Sequence, residues 1–86
     1  MEFLLKKLYY NSAYIYNPLH IYDIINIRNV VSNYEGILAC EINLNKKEVS
    51  IVYDSLSVSI DEIITSIENT GYMVIYLKRI YGEITY

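Results

Sequence analysis

Between Asp23 and Tyr34 the apolar residues Ile24, Ile27, Val31 and Tyr34 recur at helical spacing. Asn26, Arg28, Asn29, Ser32 and Asn33 fall mostly on the other face. Gly36 then supplies the left-handed position that closes such a helix. Ile37 opens an alternating stretch to Asn45 in which Cys40, Ile42 and Leu44 share the inward side against Glu41 and Asn43. The same succession returns half a chain later. Ser59-Ile60-Asp61-Glu62 matches a capping box, with Ser59 as N-cap and Glu62 at the third helical position. Ile60, Ile63, Ile64 and Ile67 mark the buried side, Gly71 ends the helix, and Met73 to Ile80 predicts a strand. Ahead of the first helix, Leu8 to Tyr16 is rich in β-formers and predicts strand 1. Asn17-Pro18 stops it, and because Asn caps helices well and Pro suits a first helical position, the helix is expected to open there. Between the two units, Asn45-Lys46-Lys47 predicts a hairpin turn with its charges in water. Glu48 to Asp54 follows as strand 3, with Val49, Ile51 and Tyr53 on one face and Ser50 and Val52 on the other.

Strand, helix, strand, strand, helix, strand is the order of an α+β, ferredoxin-like βαββαβ sandwich. Right-handed crossovers put both helices on one face of a four-stranded antiparallel sheet, with strands 1 and 3 central and the other face open. One domain spans residues 1–86, with β-prone extensions at 1–10 and 77–86. Those extensions leave the same end of the sheet and are expected to pair as a two-stranded arm. Such an arm is marginally stable alone, which points to a homodimer or a docked protein partner.

Composition narrows the function. A hydrophobic content of 53% with 20% charged residues suits one small packed core. A net charge of −3, with its lysines and arginines dispersed as three pairs and the single Arg28, argues against a phosphate-backbone binder, so no nucleic-acid partner is expected. RNA-recognition domains share the topology and stack bases on strands 1 and 3, but their basic aromatic signature is missing. One Cys leaves no internal disulfide. No apolar run approaches the ~18–20 residues that span a bilayer, and the first residues make a poor signal peptide. No membrane insertion is expected, and a cytoplasmic location follows by default. The chain has no Gly-rich phosphate loop, no paired metalloprotease histidines and one His, so no enzymatic role is expected. Eleven tyrosines stand against one Phe and no Trp. The count itself fits codon bias, since Ile, Asn and Lys are abundant too, but the placement is informative. Tyr14 and Tyr16 on strand 1, Val52 on strand 3, and Tyr76 or Ile75 on strand 4 would share the open face, a candidate interface.

From Ile27 to Tyr72 the chain resembles the heavy-metal-associated domain of copper chaperones and of the metal-binding repeats of P-type ATPases. The resemblance rests on the helix core with Gly36-Ile37, on the strand ending Val49-Ser50-Ile51-Val52-Tyr53-Asp54, and on Val58-Ser59-Ile60-Asp61-Glu62-Ile63-Ile64 running to Asn69-Thr70-Gly71-Tyr72. It implies a Cys-x-x-Cys motif after strand 1, and counting back from Gly36 places those cysteines at His20 and Asp23. This chain reads His20-Ile21-Tyr22-Asp23 instead. Two thiolates suit soft Cu(I), whereas imidazole and carboxylate are harder donors suited to Zn²⁺ or another divalent transition metal, though two ligands fall short of the four-coordinate zinc norm. Cys40 is expected to be a buried structural thiol. Two readings follow. In the first, the domain has lost its thiolate metal site and serves as a protein-interaction module, with no cofactor. In the second it is a metallochaperone-like carrier with an altered His20/Asp23 site, and a metal-transporting ATPase becomes the implied partner.

Overall fold

The structure, a computed structural model, describes residues 7–85, with side chains through residue 80. Its elements are β1 (Lys7–Ile15), α1 (Ile21–Ser32), β2 (Ile37–Asn43), β3 (Glu48–Asp54), α2 (Ile60–Asn69) and β4 (Val74–Thr85). All strand pairs are antiparallel and the sheet order is β2-β3-β1-β4, so β1 and β3 are central, as the pattern predicts. This is the ferredoxin-like arrangement.

The core lies between one sheet face and the helices. Ala13 and Ile15 of β1, with Val49, Ile51 and Tyr53 of β3, meet Ile27 and Val31 of α1 and Ile63 and Ile67 of α2. Fully burying each such aliphatic side chain contributes about 1.5–3 kcal/mol before entropy is counted. Ile24, Tyr34, Ile60 and Ile64 are only half-buried and sit at the rim. α2 divides cleanly: Asp61, Glu62, Thr65, Glu68 and Asn69 face solvent, and the Glu62 N–H donates to the Ser59 Oγ at 3.2 Å.

Two one-residue bulges keep the pleat in phase with the core. In β2, Ile37 pairs with Tyr53 but Ala39 with Val52, so Leu38 is the extra residue. Ile37 and Cys40 can therefore both pack against the core despite their opposite parity. In β4, Val74 pairs with Ile15 but Tyr76 with Tyr14, which extrudes Ile75. Val74 thus packs inward while Tyr76, not Ile75, stands beside Tyr14.

Three local expectations change. α1 opens at Ile21 with His20 as N-cap, not at Asn17-Pro18. The Asn17 Oδ1, which would cap such a helix, is occupied instead by the Met73 N–H at 2.8 Å. The Tyr16 N–H donates to the Met73 carbonyl, also at 2.8 Å, so the bend is held against the start of β4. Lys47 takes a positive φ of 53° in the hairpin, and its Nζ donates to the Tyr16 carbonyl at 3.2 Å rather than standing free in water. Finally, β4 runs unbroken to Thr85, pairing Lys7 with Thr85 and Leu8 with Ile84 past a shift in register. The inner part of the expected arm therefore exists; residues 1–6 lie outside the described residues. Among the described residues, no helix is long and apolar enough to cross a membrane.

α2 ends as expected, with Gly71 at φ 105° directly after its C-cap Thr70, but α1 already ends at Asn33, and Gly36, at φ 92°, lies beyond it in the turn into β2 rather than closing the helix. A Cβ at Gly36 would lie 2.6 Å from the Ser57 Cβ, whereas one at Gly71 would meet nothing within 4 Å. Gly71→Ala is expected to cost only the backbone strain, about 1–2 kcal/mol. Gly36→Ala should cost about 1–3 kcal/mol more, from the added collision. Urea unfolding of the two variants checks the order, and equal losses would refute it.

Candidate functional site

The bend between β1 and α1 is assembled around one carboxylate. His20 has extended backbone, φ −115° and ψ 172°, which turns its N–H toward the first helical turn. That N–H donates to the Asp23 Oδ2 at 2.7 Å, and the Asp23 N–H donates back to the His20 carbonyl at 2.9 Å. Asp23 thus supplies the third-position side of a capping box. Its other oxygen, Oδ1, accepts the hydroxyl of Tyr72, which arrives from the segment between α2 and β4. Asp23 is only 8% exposed, yet these donors outweigh the desolvation. The Tyr72 hydroxyl first, and the His20 N–H second, hold its carboxyl below the ordinary Asp range. The positive end of α1 favours the same charged form. Burial first, and the hydrogen bond to Asp23 second, push the Tyr72 phenol up.

The two residues aligned with the implied cysteines therefore share one turn but play unequal parts. Asp23 points inward and already accepts two hydrogen bonds. His20 is exposed, and its imidazole lies beside the Tyr22 ring, with centroids 5.7 Å apart and planes 26° apart. One available imidazole and an engaged carboxylate are a weak match to soft Cu(I) and a partial set for a borderline divalent ion. Among the described residues no group of three or more His, Cys, Asp or Glu is placed to hold a metal. Cys40 sits two strands away from β1 on the edge strand β2. Burial pushes its thiol up to about 11, only partly offset by Arg28. Tyr72 has no site role in the sequence reading, and Asn17, expected as a helix cap, instead holds the Met73 N–H. Gly71-Tyr72 was visible as a helix exit, but nothing local links Tyr72 to a carboxylate 49 positions earlier.

Of the expected interface residues, Tyr14 and Tyr76 meet directly on the open face, with centroids 5.7 Å apart and an interplanar angle of 38°. The Tyr14 hydroxyl donates to the Glu48 Oε2 at 3.2 Å; burial first, then Glu48, raises its pKa. Val52 is half-buried opposite Tyr10. Between them the Ser12 and Ser50 hydroxyls lie 3.1 Å apart, so the apolar surface of this face is interrupted. Tyr16 falls beyond the end of β1 and belongs to the bend.

Comparison with known proteins bears on both fold and family. A family model described as heavy-metal-associated domain matches residues 25–73, beginning just past the bend. The copper chaperone CopZ of Staphylococcus aureus (strain bovine RF122 / ET3-1) is 31% identical over 49 residues, which cover 57% of this chain and 72% of that protein. Among solved structures, a CopZ metallochaperone superposes with a TM-score of 0.73 at 21% identity, covering 77% of this chain and 98% of the other. The N-terminal domain of a potential copper-translocating P-type ATPase from Bacillus subtilis, in its Cu(I)-loaded state, gives 0.73 at 17% identity, with 84% and 86% covered.

Two measurements check the electrostatics. Because the folded Asp23 pKa lies below its unfolded value of roughly 3.9, its stabilisation is complete above that value. It fades as pH falls through the folded one. Tyr72→Phe removes the largest cause, so it should destabilise at pH 7, with the gap from wild type closing toward pH 2.5 in urea titrations. A gap independent of pH would refute this. For Cys40, Ellman's reagent should react more slowly in the native chain than in the urea-unfolded one. The native rate should still climb tenfold per pH unit at pH 9.5, where an ordinary thiol near ~8.5 has levelled off.

Proposed function

This chain belongs to the heavy-metal-associated domain family, and from that premise we propose that it carries a metal ion in transit, in the manner of a metallochaperone. His20 is the donor presented at the bend. The observation that carries this reading is the division of labour in the first turn of α1. Asp23 and Tyr72 fix the turn from inside, and that leaves the His20 imidazole exposed on a fixed backbone. An exposed donor suits a carrier, which must release its cargo as readily as it takes it up. Imidazole in place of thiolate moves the preferred cargo from Cu(I) toward Zn²⁺ or Cu²⁺. The chain acts without catalysis, in the cytoplasm, and its acceptor is a metal-transporting ATPase. The likeness to a P-type ATPase domain supports that choice of partner.

A second reading, an interaction module without a metal, is favoured by one observation: Tyr14 and Tyr76 form an aromatic pair on a sheet face that no helix covers. Tyrosine combines contact area with a polar tip, as interfaces require.

Titration with Zn²⁺, Ni²⁺, Cu²⁺ and Cu(I), each competed against a chromophoric chelator, separates the two. The carrier reading expects Zn²⁺ or Cu²⁺ to bind wild type and His20→Ala to weaken that binding at least about tenfold, while Tyr14→Ala leaves it unchanged. Full affinity in His20→Ala would remove His20 from the site. Failure of wild type to bind any of the four would leave the module.

A further inference from the structure

Strand pairing orders the side chains on the sheet face that no helix covers. Ala13 and Ile15 of β1 enter the core, so Tyr10, Ser12 and Tyr14 point to the open side. The pairings at Ser12 read Glu41, Ser50, Ser12, Lys78 from β2 across to β4. An acid stands at one edge, a cation at the other, and two small hydroxyls lie between. The row toward the bend reads Asn43, Glu48, Tyr14, Tyr76, and the row on the other side reads Ala39, Val52, Tyr10, Ile80. In both, the bulkier side chains stand on β1 and β4 and the smaller ones on β2 and β3. Charge and bulk therefore change over at the same line, midway between β1 and β3. The Glu41 side chain stays 80% exposed despite its 3.7 Å contact with Arg28, and Tyr76 and Lys78 are exposed at the opposite edge.

We infer that a second copy of this chain packs on this face, sheet against sheet, about a two-fold axis running along the strands between β1 and β3. The inference rests on the surface chosen in the second reading above and gives it an occupant. It uses no residue of the bend, so it is independent of any bound ion. Aligned sheets keep their strands within about 30° of one another, which leaves two symmetric ways to relate the copies. An axis across the strands would lay β2 over β2 and β4 over β4, gathering acids on one side and bulky side chains on the other. The axis along the strands lays β4 over β2 instead. Lys78 of each copy then meets Glu41 of the other, and Ser12 meets Ser50. Tyr76 and Tyr14 fall on Asn43 and Glu48, and Tyr10 and Ile80 fall on Val52 and Ala39, large against small throughout. A face that complements its own rotated image selects a copy of itself as partner. The face spans roughly 19 Å by 24 Å at standard strand dimensions, the scale of the smaller specific interfaces, so the dimer is a weak one.

Sedimentation equilibrium in EDTA tests this. Wild type should show a monomer–dimer equilibrium with no metal present. Glu41→Lys and Lys78→Glu, each checked for native circular dichroism, should each raise the dimer dissociation constant about tenfold or more, because the two-fold repeats every like-charge contact. Mixed in equal amounts, the two variants should recover the dimer, since each reversed residue then meets an opposite charge. A dimer that the single reversals leave unchanged, or that the mixture fails to recover, would overturn the axis and the proposal with it. So would a dimer that forms only with Zn²⁺. A chain monomeric at millimolar concentration would overturn the second copy; the module reading then stands if a pull-down recovers a foreign partner that Tyr14→Asp loses, and falls as well if it does not.

Discussion

The carboxylate of Asp23 ties the first turn of α1 to the segment between α2 and β4, beside the backbone bond that holds the bend against Met73. It caps α1 through the His20 N–H, and it receives the hydroxyl of Tyr72 from the far side of α2. Both contacts favour the ionised form over the cost of burial. Because the carboxylate is anchored from two directions, the first turn of α1 has one position relative to the start of β4. The orientation of everything presented at the bend follows from that. A charged group in this place would be costly if either donor were lost, since a buried carboxylate without partners is strongly disfavoured.

Tyrosine plays the same structural part elsewhere. Tyr53 packs its ring in the core and donates its hydroxyl to the buried Asn11 Oδ1 at 2.8 Å, joining β3 to β1. Tyr34, at the end of α1, hydrogen-bonds the Ser66 hydroxyl of α2. Tyr72 joins the β4 entry to α1. In each case a long, rigid side chain fills apolar volume and ends in a polar group that reaches a partner on another element. Whatever set their number, several of the eleven tyrosines serve as cross-links between elements. A Phe at the same sites would fill the space but leave Asn11 and Asp23 each without one donor.

The fold shared with copper chaperones and the donors at the bend pull in different chemical directions. Two thiolates on neighbouring turns bind a soft ion tightly in a two-coordinate geometry. The bend of this chain presents a carboxylate held by two donors and an exposed imidazole. The first turn is preorganised, and neither of these two groups is a soft sulfur donor.

Much of this was legible in the sequence. The periods of Ile24-Ile27-Val31 and Ile60-Ile63-Ile67, the alternation in β3, and the glycine stop of α2 are local patterns. They fix which segments form helices or strands and which face is buried, because burial of apolar side chains decides those choices residue by residue. Element order then leaves one compact topology. Other features depended on groups far apart in the chain. Asn17-Pro18 carries a good helix start, yet the Met73 N–H claims the Asn17 side chain and α1 begins later, at Ile21. The bulges at Leu38 and Ile75 answer a mismatch between pleat and core that neither strand shows alone. Above all, His20 and Asp23 were visible as candidate site residues at the bend. That one points outward and the other inward was set by a hydrogen bond from Tyr72, 49 positions away. Short-range periodicity determines the elements; which polar group meets which is decided only when packing brings distant segments within hydrogen-bonding reach.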